Sequence, residues 1–234
     1  MLFSALAFRP AYFVIGAAAL ALAACGGASS DEAADSAGAE TIDESATGAF
    51  AEMTRGKADA VVTVIEYASV TCPHCATFHE QVYPTIKENY IDTGKVRFVF
   101  REFPTSPANL SIAGSMLARC AADTGGMDAY FLVLDTLFKT QGDPRQRTGW
   151  IYSENPREEL IKIAAQAGMG EDDLDACINR EELLDFLNEN VKTGRDKYDI
   201  RSTPSFVVNG TVRHFSSVED MSAALDEAIE KAGE

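Results

Sequence analysis

Two cysteines separated by a proline and a histidine, Cys72-Pro73-His74-Cys75, are the residues most able to do chemistry. A two-residue gap lets both sulfurs meet, and they can cycle between dithiol and disulfide. A strongly β-forming run, Val61 to Tyr67, precedes them, and Ala76 to Tyr90 reads as a helix. The pair therefore falls where a strand gives way to a helix. Unpaired backbone N–H groups and the helix dipole favour negative charge there. A thiol so placed loses its proton more readily, and the thiolate is the reactive species. A protonated His74 would add positive charge beside Cys72. Zinc binding would need about four ligands. Only His74 and His79 lie close in sequence, and there is no second C-x-x-C, so no metal is expected. A static disulfide would need neither the histidine nor the helix start.

The elements that must hold this pair follow from periodicity. Phe78, Val82 and Ile86 form an apolar stripe on the helix after the cysteines, and Pro84 should bend or interrupt it. Thr93-Gly94-Lys95 reads as a turn, and Val96 to Phe103 as a second strand. From Pro104 to Lys197 the patterns are helical. Leu110, Met116, Leu117 and Cys120 share one helix, and Tyr130, Leu134, Leu137 and Phe138 form the face of another. Asn155-Pro156-Arg157-Glu158 reads as a capped helix start. Leu174 and Cys177 belong to a short helix, and Leu184, Leu187 and Val191 mark the last of the set. Ser205 to Val208, the turn Asn209-Gly210 and Thr211 to Phe215 predict a β-hairpin. An amphipathic helix over Val218 to Lys231 closes the chain. His214 reads as a surface residue, and Phe98, Phe100 and Phe103 as core.

The chain has 234 residues and a formal net charge of −16, which argues against nucleic acid as a partner. Met1 to Ala24 reads as an export signal, with Arg9 ahead of an apolar run from Tyr12. Leu22-Ala23-Ala24-Cys25 resembles the bacterial lipobox, in which cleavage precedes the cysteine and lipid is added to its sulfur. Ordinary cleavage near Ala24, leaving a soluble periplasmic protein, is the alternative. Residues 25–48 are rich in Ala, Gly, Ser, Asp and Glu and read as a disordered tether. Of the five cysteines, Cys120 and Cys177 both fall in the helical stretch. In an oxidising compartment these two should pair, with a stabilisation of about 4 kcal/mol for a loop of that length, and two buried thiols are the alternative.

The order strand, CPHC helix, strand, helical stretch, Thr203-Pro204, hairpin, helix resembles the DsbA-like thiol:disulfide oxidoreductases of the thioredoxin superfamily. The resemblance implies an α/β thioredoxin fold with an inserted α-helical domain. The thioredoxin part would span 49–104 and 198–234, and the insertion 105–197. It implies that Cys72 is the exposed nucleophile and Cys75 the buried resolving cysteine. Pro73 and His74 would tune the nucleophile, Pro204 would be the cis-proline facing the disulfide, and Thr203 would pair with an extended substrate. Glu66 would be the buried acid beneath the site and a proton relay for Cys75. Alternation through Val62, Val64 and Glu66 already places that acid among apolar neighbours. The family needs no cofactor. Its partners would be unfolded exported proteins with cysteine pairs and a DsbB-like membrane protein as reoxidant, with the enzyme a monomer on the periplasmic side. Two positions depart from the pattern. His79 stands where the best-known members carry glutamate, which changes the local field. Thr203 stands where the most oxidising members often carry valine, whereas threonine is common in isomerase and reductase relatives. An oxidase, a reductase or isomerase, and a non-catalytic binding lipoprotein on the same scaffold all stay open at this point.

Overall fold

The central strand β2, Val62–Ala68, carries the site at its C-terminal end. The structure is a computed structural model that describes residues 42 and 44–233. The export signal, Cys25 and nearly all of the tether lie outside the described residues. β2 pairs in parallel with β3, Val96–Glu102, from Val62 against Val96 to Ala68 against Glu102. A parallel pair needs a crossover, and the CPHC helix supplies it. β4, Ser205–Val208, lies antiparallel on the other side of β2, followed by β5, Thr211–Arg213. Asn209 and Gly210 have φ of 43° and 83°, the left-handed pair that a two-residue hairpin turn requires.

A short strand, β1 at Met53–Arg55, completes the sheet antiparallel to β3, giving the order β1-β3-β2-β4-β5. The sequence reading put only the start of the fold there. Three residues show no alternation, so pairing with β3 makes the strand rather than propensity.

Alternate residues divide the sheet into two faces, as the strand pleat demands. Val62, Val64, Phe98, Phe100 and Phe206 join one large core. Ile65, Tyr67, Val99 and Val207 join a smaller one with Phe103 and Ile200. Helix α1 starts at Pro73, three residues before the expected helix, and ends at Gln81. The chain breaks at Val82 and resumes as α2, Tyr83–Ile86. Pro84 explains the break, because it has no N–H to donate and its ring collides with the carbonyl four residues back.

After β3 come α3 (Ala108–Lys139), α4 (Pro156–Gln166), α5 (Glu171–Ile178) and α6 (Glu181–Tyr198), the inserted helical domain of a thioredoxin fold. α3 is interrupted at Gly126, where φ of 63° and ψ of −153° split it into the two helical faces read from sequence. Asn155 precedes α4 but its side chain makes no capping bond, contrary to expectation. α6 buries Leu183, Leu187 and Gly194, whereas the expected Leu184 and Val191 are only half-buried. Gly194 lies against the ring of Tyr67, and that close approach turns the face. Cys120 of α3 and Cys177 of α5 are bonded, 57 residues apart in the chain. The closing helix α7 is Val218–Ala232, capped by Ser217. No helix among the described residues is long and apolar enough to cross a membrane.

Candidate active site

Cys72 occupies the N-cap position of α1, and its carbonyl accepts the first helical bond from Ala76 N–H at 3.1 Å. Pro73 follows as the first helical residue, where its missing N–H costs nothing. Cys75 lies in that first turn, completely buried, and the two sulfurs are present as thiols. Cys72 itself is only 7% exposed, so the expected exposed nucleophile is largely covered. The carbonyl oxygen of Thr203 lies 3.4 Å from Cys72 Sγ. The Thr203–Pro204 peptide is cis. Pro73 and His74 are both exposed beside the nucleophile.

The electrostatics separate the two sulfurs. A hydrogen bond from Cys75 is the largest cause holding the Cys72 thiol down at about 5, against an ordinary 9.0. Burial works against this, while the Thr203 side chain and the backbone N–H groups of Cys75 and His74 favour the anion. Cys75 moves the other way. Burial is the main cause pushing it well up, reinforced by the Cys72 sulfur and by the charge of Glu66. One sulfur is thus ready as a thiolate at neutral pH and the other holds its proton.

Beneath the pair, Glu66 of β2 is fully buried, as its alternation with Val62 and Val64 predicts. Its Oε2 lies 2.9 Å from Nε2 of His79, whose side chain is 6% exposed. The His79 ring stacks on Phe138 of α3 with centroids 4.1 Å apart and planes 17° apart. Glu66 Oε1 and His79 Nδ1 have no hydrogen-bond partner among the described residues. The sequence singled out each residue but not their contact. His79 lies four residues after Cys75, one helical turn along the same face, and that spacing was the available signal.

Polar groups that carried no sequence signal hold the loop ahead of Cys72. Gln141, just past α3, is buried and donates from Nε2 to the carbonyls of Val70 at 2.8 Å and Cys72 at 3.2 Å. Ser69 Oγ lies 2.8 Å from Ser111 Oγ and 3.0 Å from Thr71 Oγ1, and accepts from Thr105 Oγ1 at 2.9 Å. A groove of about 1010 Å³ runs between α1–α2 and α3, with His74 at its rim and His79 and Phe138 in its wall. Of the other predicted residues, His214 is exposed and distant in sequence from the site, and Cys120–Cys177 belongs to the insertion.

Residues 49–227 match the family model described as Thioredoxin. A Rickettsia bellii protein named as a protein-disulfide oxidoreductase is 35% identical over 183 residues, covering 77% of this chain and 66% of that protein. The chain spans a little under two thirds of the length of the rickettsial relatives it matches. The crystal structure of alpha-DsbA1 from Wolbachia pipientis superposes with a TM-score of 0.67 at 27% identity, covering 77% of this chain and 92% of that one. BdbD from Bacillus subtilis has the same fold, with a TM-score of 0.67 at 21% identity over 76% of this chain and 93% of that chain.

Proposed function

Because the chain belongs to the thioredoxin superfamily as a DsbA-like member, we propose that it is a thiol:disulfide oxidoreductase that introduces disulfides into exported proteins. The observation that carries this reading is the place of Cys72 at the N-cap of α1 with Thr203 against its sulfur, where a hydrogen bond from Cys75 holds the thiol down at about 5. Its stabilising bonds act on a charge that exists only in the reduced enzyme. The disulfide form lacks that charge and gains nothing from them, so transfer of the disulfide to a substrate is favoured.

The reaction runs in two exchanges. A substrate thiolate attacks Sγ of Cys72 in the Cys72–Cys75 disulfide, and Cys75 leaves with the electron pair. The substrate's second thiolate then attacks its own sulfur in the mixed disulfide and expels Cys72 as the stabilised thiolate. The substrate ends oxidised and the enzyme reduced. Thr203, with its carbonyl beside Cys72 Sγ, would align an extended substrate segment by backbone pairing. A DsbB-like membrane protein would restore the disulfide. The expected site of action is the periplasm, with a lipid anchor at Cys25 or, alternatively, in soluble form.

One feature favours a second reading. Threonine at position 203 is common among reductase and isomerase relatives, and here it lies directly on the nucleophile. The redox potential of Cys72–Cys75 against glutathione separates the two. Thioredoxin sits at about −270 mV and the strongly oxidising member of this family at about −120 mV. A potential near the former would end the oxidase reading. A Cys72→Ser protein that loses no function would point instead to a non-catalytic binding role.

A further inference from the structure

We propose that His79 is the conduit through which protons reach and leave Cys75, working in series with Glu66. The inference rests on the thiol–disulfide exchange proposed above, in either direction. His79 is a positioning and relay residue, because it touches Glu66 and not the reacting sulfurs.

The need arises from burial. Cys75 changes protonation in every cycle, yet it is 0% exposed, and so is Glu66. Neither can trade protons with bulk water directly. His79 bridges that gap: its Nε2 is 2.9 Å from Glu66 Oε2, and its ring forms part of the groove wall. Its second nitrogen, Nδ1, is buried just behind the groove wall and has no partner within the described protein, so it meets groove water only when a wall side chain shifts. An imidazole can take a proton on one nitrogen and release another from the second. The stack on Phe138 holds the ring edge towards Glu66. The groups facing it are Glu66 from β2, Tyr83 from α2 and Cys75 one turn back on its own helix. Around the groove stand Arg55, Glu80, Lys87, Asp135 and Lys139.

The step balances. A substrate thiolate bonds to Cys72 Sγ, the Cys72–Cys75 bond breaks, and the electron pair leaves on Cys75 Sγ. Glu66 gives that sulfur a proton and recovers one from His79 Nε2. His79 Nδ1 takes one from groove water that reaches it when a side chain of the wall shifts. The net change is one proton from solvent, and the enzyme disulfide is the sole oxidant. The reverse sequence deprotonates Cys75 when it attacks a mixed disulfide.

The test follows reduction of the oxidised full chain by dithiothreitol from pH 5 to 9. His79→Gln keeps a hydrogen bond to Glu66 but cannot carry a proton. It should slow the step tenfold or more and flatten the pH profile, with Cys72 titrating as before. His79→Ala should be equally slow and recover with added imidazole, but not with pyrazole, a far weaker base of the same shape. A His79→Gln rate within twofold of wild type with the same profile overturns the assignment, as does equal rescue by pyrazole. Should both variants fail to fold, the wild-type His79 ring nitrogens can be titrated by NMR. A midpoint that moves between the oxidised and reduced protein supports the relay, and an unmoved midpoint overturns it. A wild-type chain that exchanges nothing with dithiothreitol overturns the exchange reading and the relay together. Wild-type exchange with an unaffected His79→Gln protein overturns the relay alone.

Discussion

A cysteine that titrates near 5 instead of 9.0 is an anion at neutral pH, and the fold bears the consequence. Unfolding the reduced protein at pH 7 means protonating that sulfur, because the unfolded thiol is neutral there. The two pH units between 5 and 7, at about 1.36 kcal/mol each, set an upper bound of about 3 kcal/mol on what the thiolate contributes to the reduced fold, reduced by solvent screening. The sign is that of a depressed pKa. The contribution is complete only above about pH 9, shrinks as pH falls, and is lost through about 5. The oxidised protein has no such group, and its cross-link adds an offset that does not vary with pH. Urea unfolding of both redox forms between pH 5 and 9 should therefore show the reduced form gaining on the oxidised one as pH rises. A difference that stays flat across that range would contradict the stabilised thiolate.

The elements around the site explain how one sulfur can be singled out. β2 delivers Cys72 to the start of α1, but the loop between them owes its shape to the helical insertion. Gln141 spans that joint through its two bonds to the carbonyls of Val70 and Cys72. Replacing Gln141 with Leu leaves the Val70 carbonyl without this donor and should cost about 1–3 kcal/mol. Alkylation of Cys72 should also change rate, since the loop that presents it is loosened. An unchanged urea midpoint would show that the joint is held by something else. Much of this scale was legible beforehand. The CPHC pair, the β-branched runs of β2 and β3, the Asn209-Gly210 turn and the apolar face from Tyr130 to Phe138 are all local patterns. Gln141 was not, because it lies in a polar stretch and its partners are about 70 positions away. Nor was the Glu66–His79 contact, which depends on how α1 packs across β2. Leu183 displaced Leu184 on α6 for a related reason. The helix rotates to press Gly194 against Tyr67, and only the packed structure sets that angle.

At the scale of the whole molecule, two devices tie the insertion together and to the sheet, and they should respond differently to removal. Arg119 of α3 is 1% exposed and grips both oxygens of Glu102 on β3 at 2.7 Å. It also donates to the carbonyls of Ala49 and Ala51, while Tyr130 donates to Glu102 at 2.8 Å. A buried pair of this kind gives little net stability when intact but is costly to break from one side. Arg119→Met should lower stability by about 3–5 kcal/mol, because Glu102 is left charged and buried. Adding Glu102→Leu and Tyr130→Phe should recover part of the loss, since that charge and its donor are then both gone. The Cys120–Cys177 bond joins α3 to α5 and acts on the unfolded chain. Cys120→Ala with Cys177→Ala should cost about 4 kcal/mol for a 57-residue closure, with no change in the titration of Cys72. Urea midpoints for the four proteins, measured beside the Cys72 titration, check both expectations. If the triple variant were no better than Arg119→Met alone, the seam would depend on the lost bonds to Ala49 and Ala51 rather than on the stranded charge.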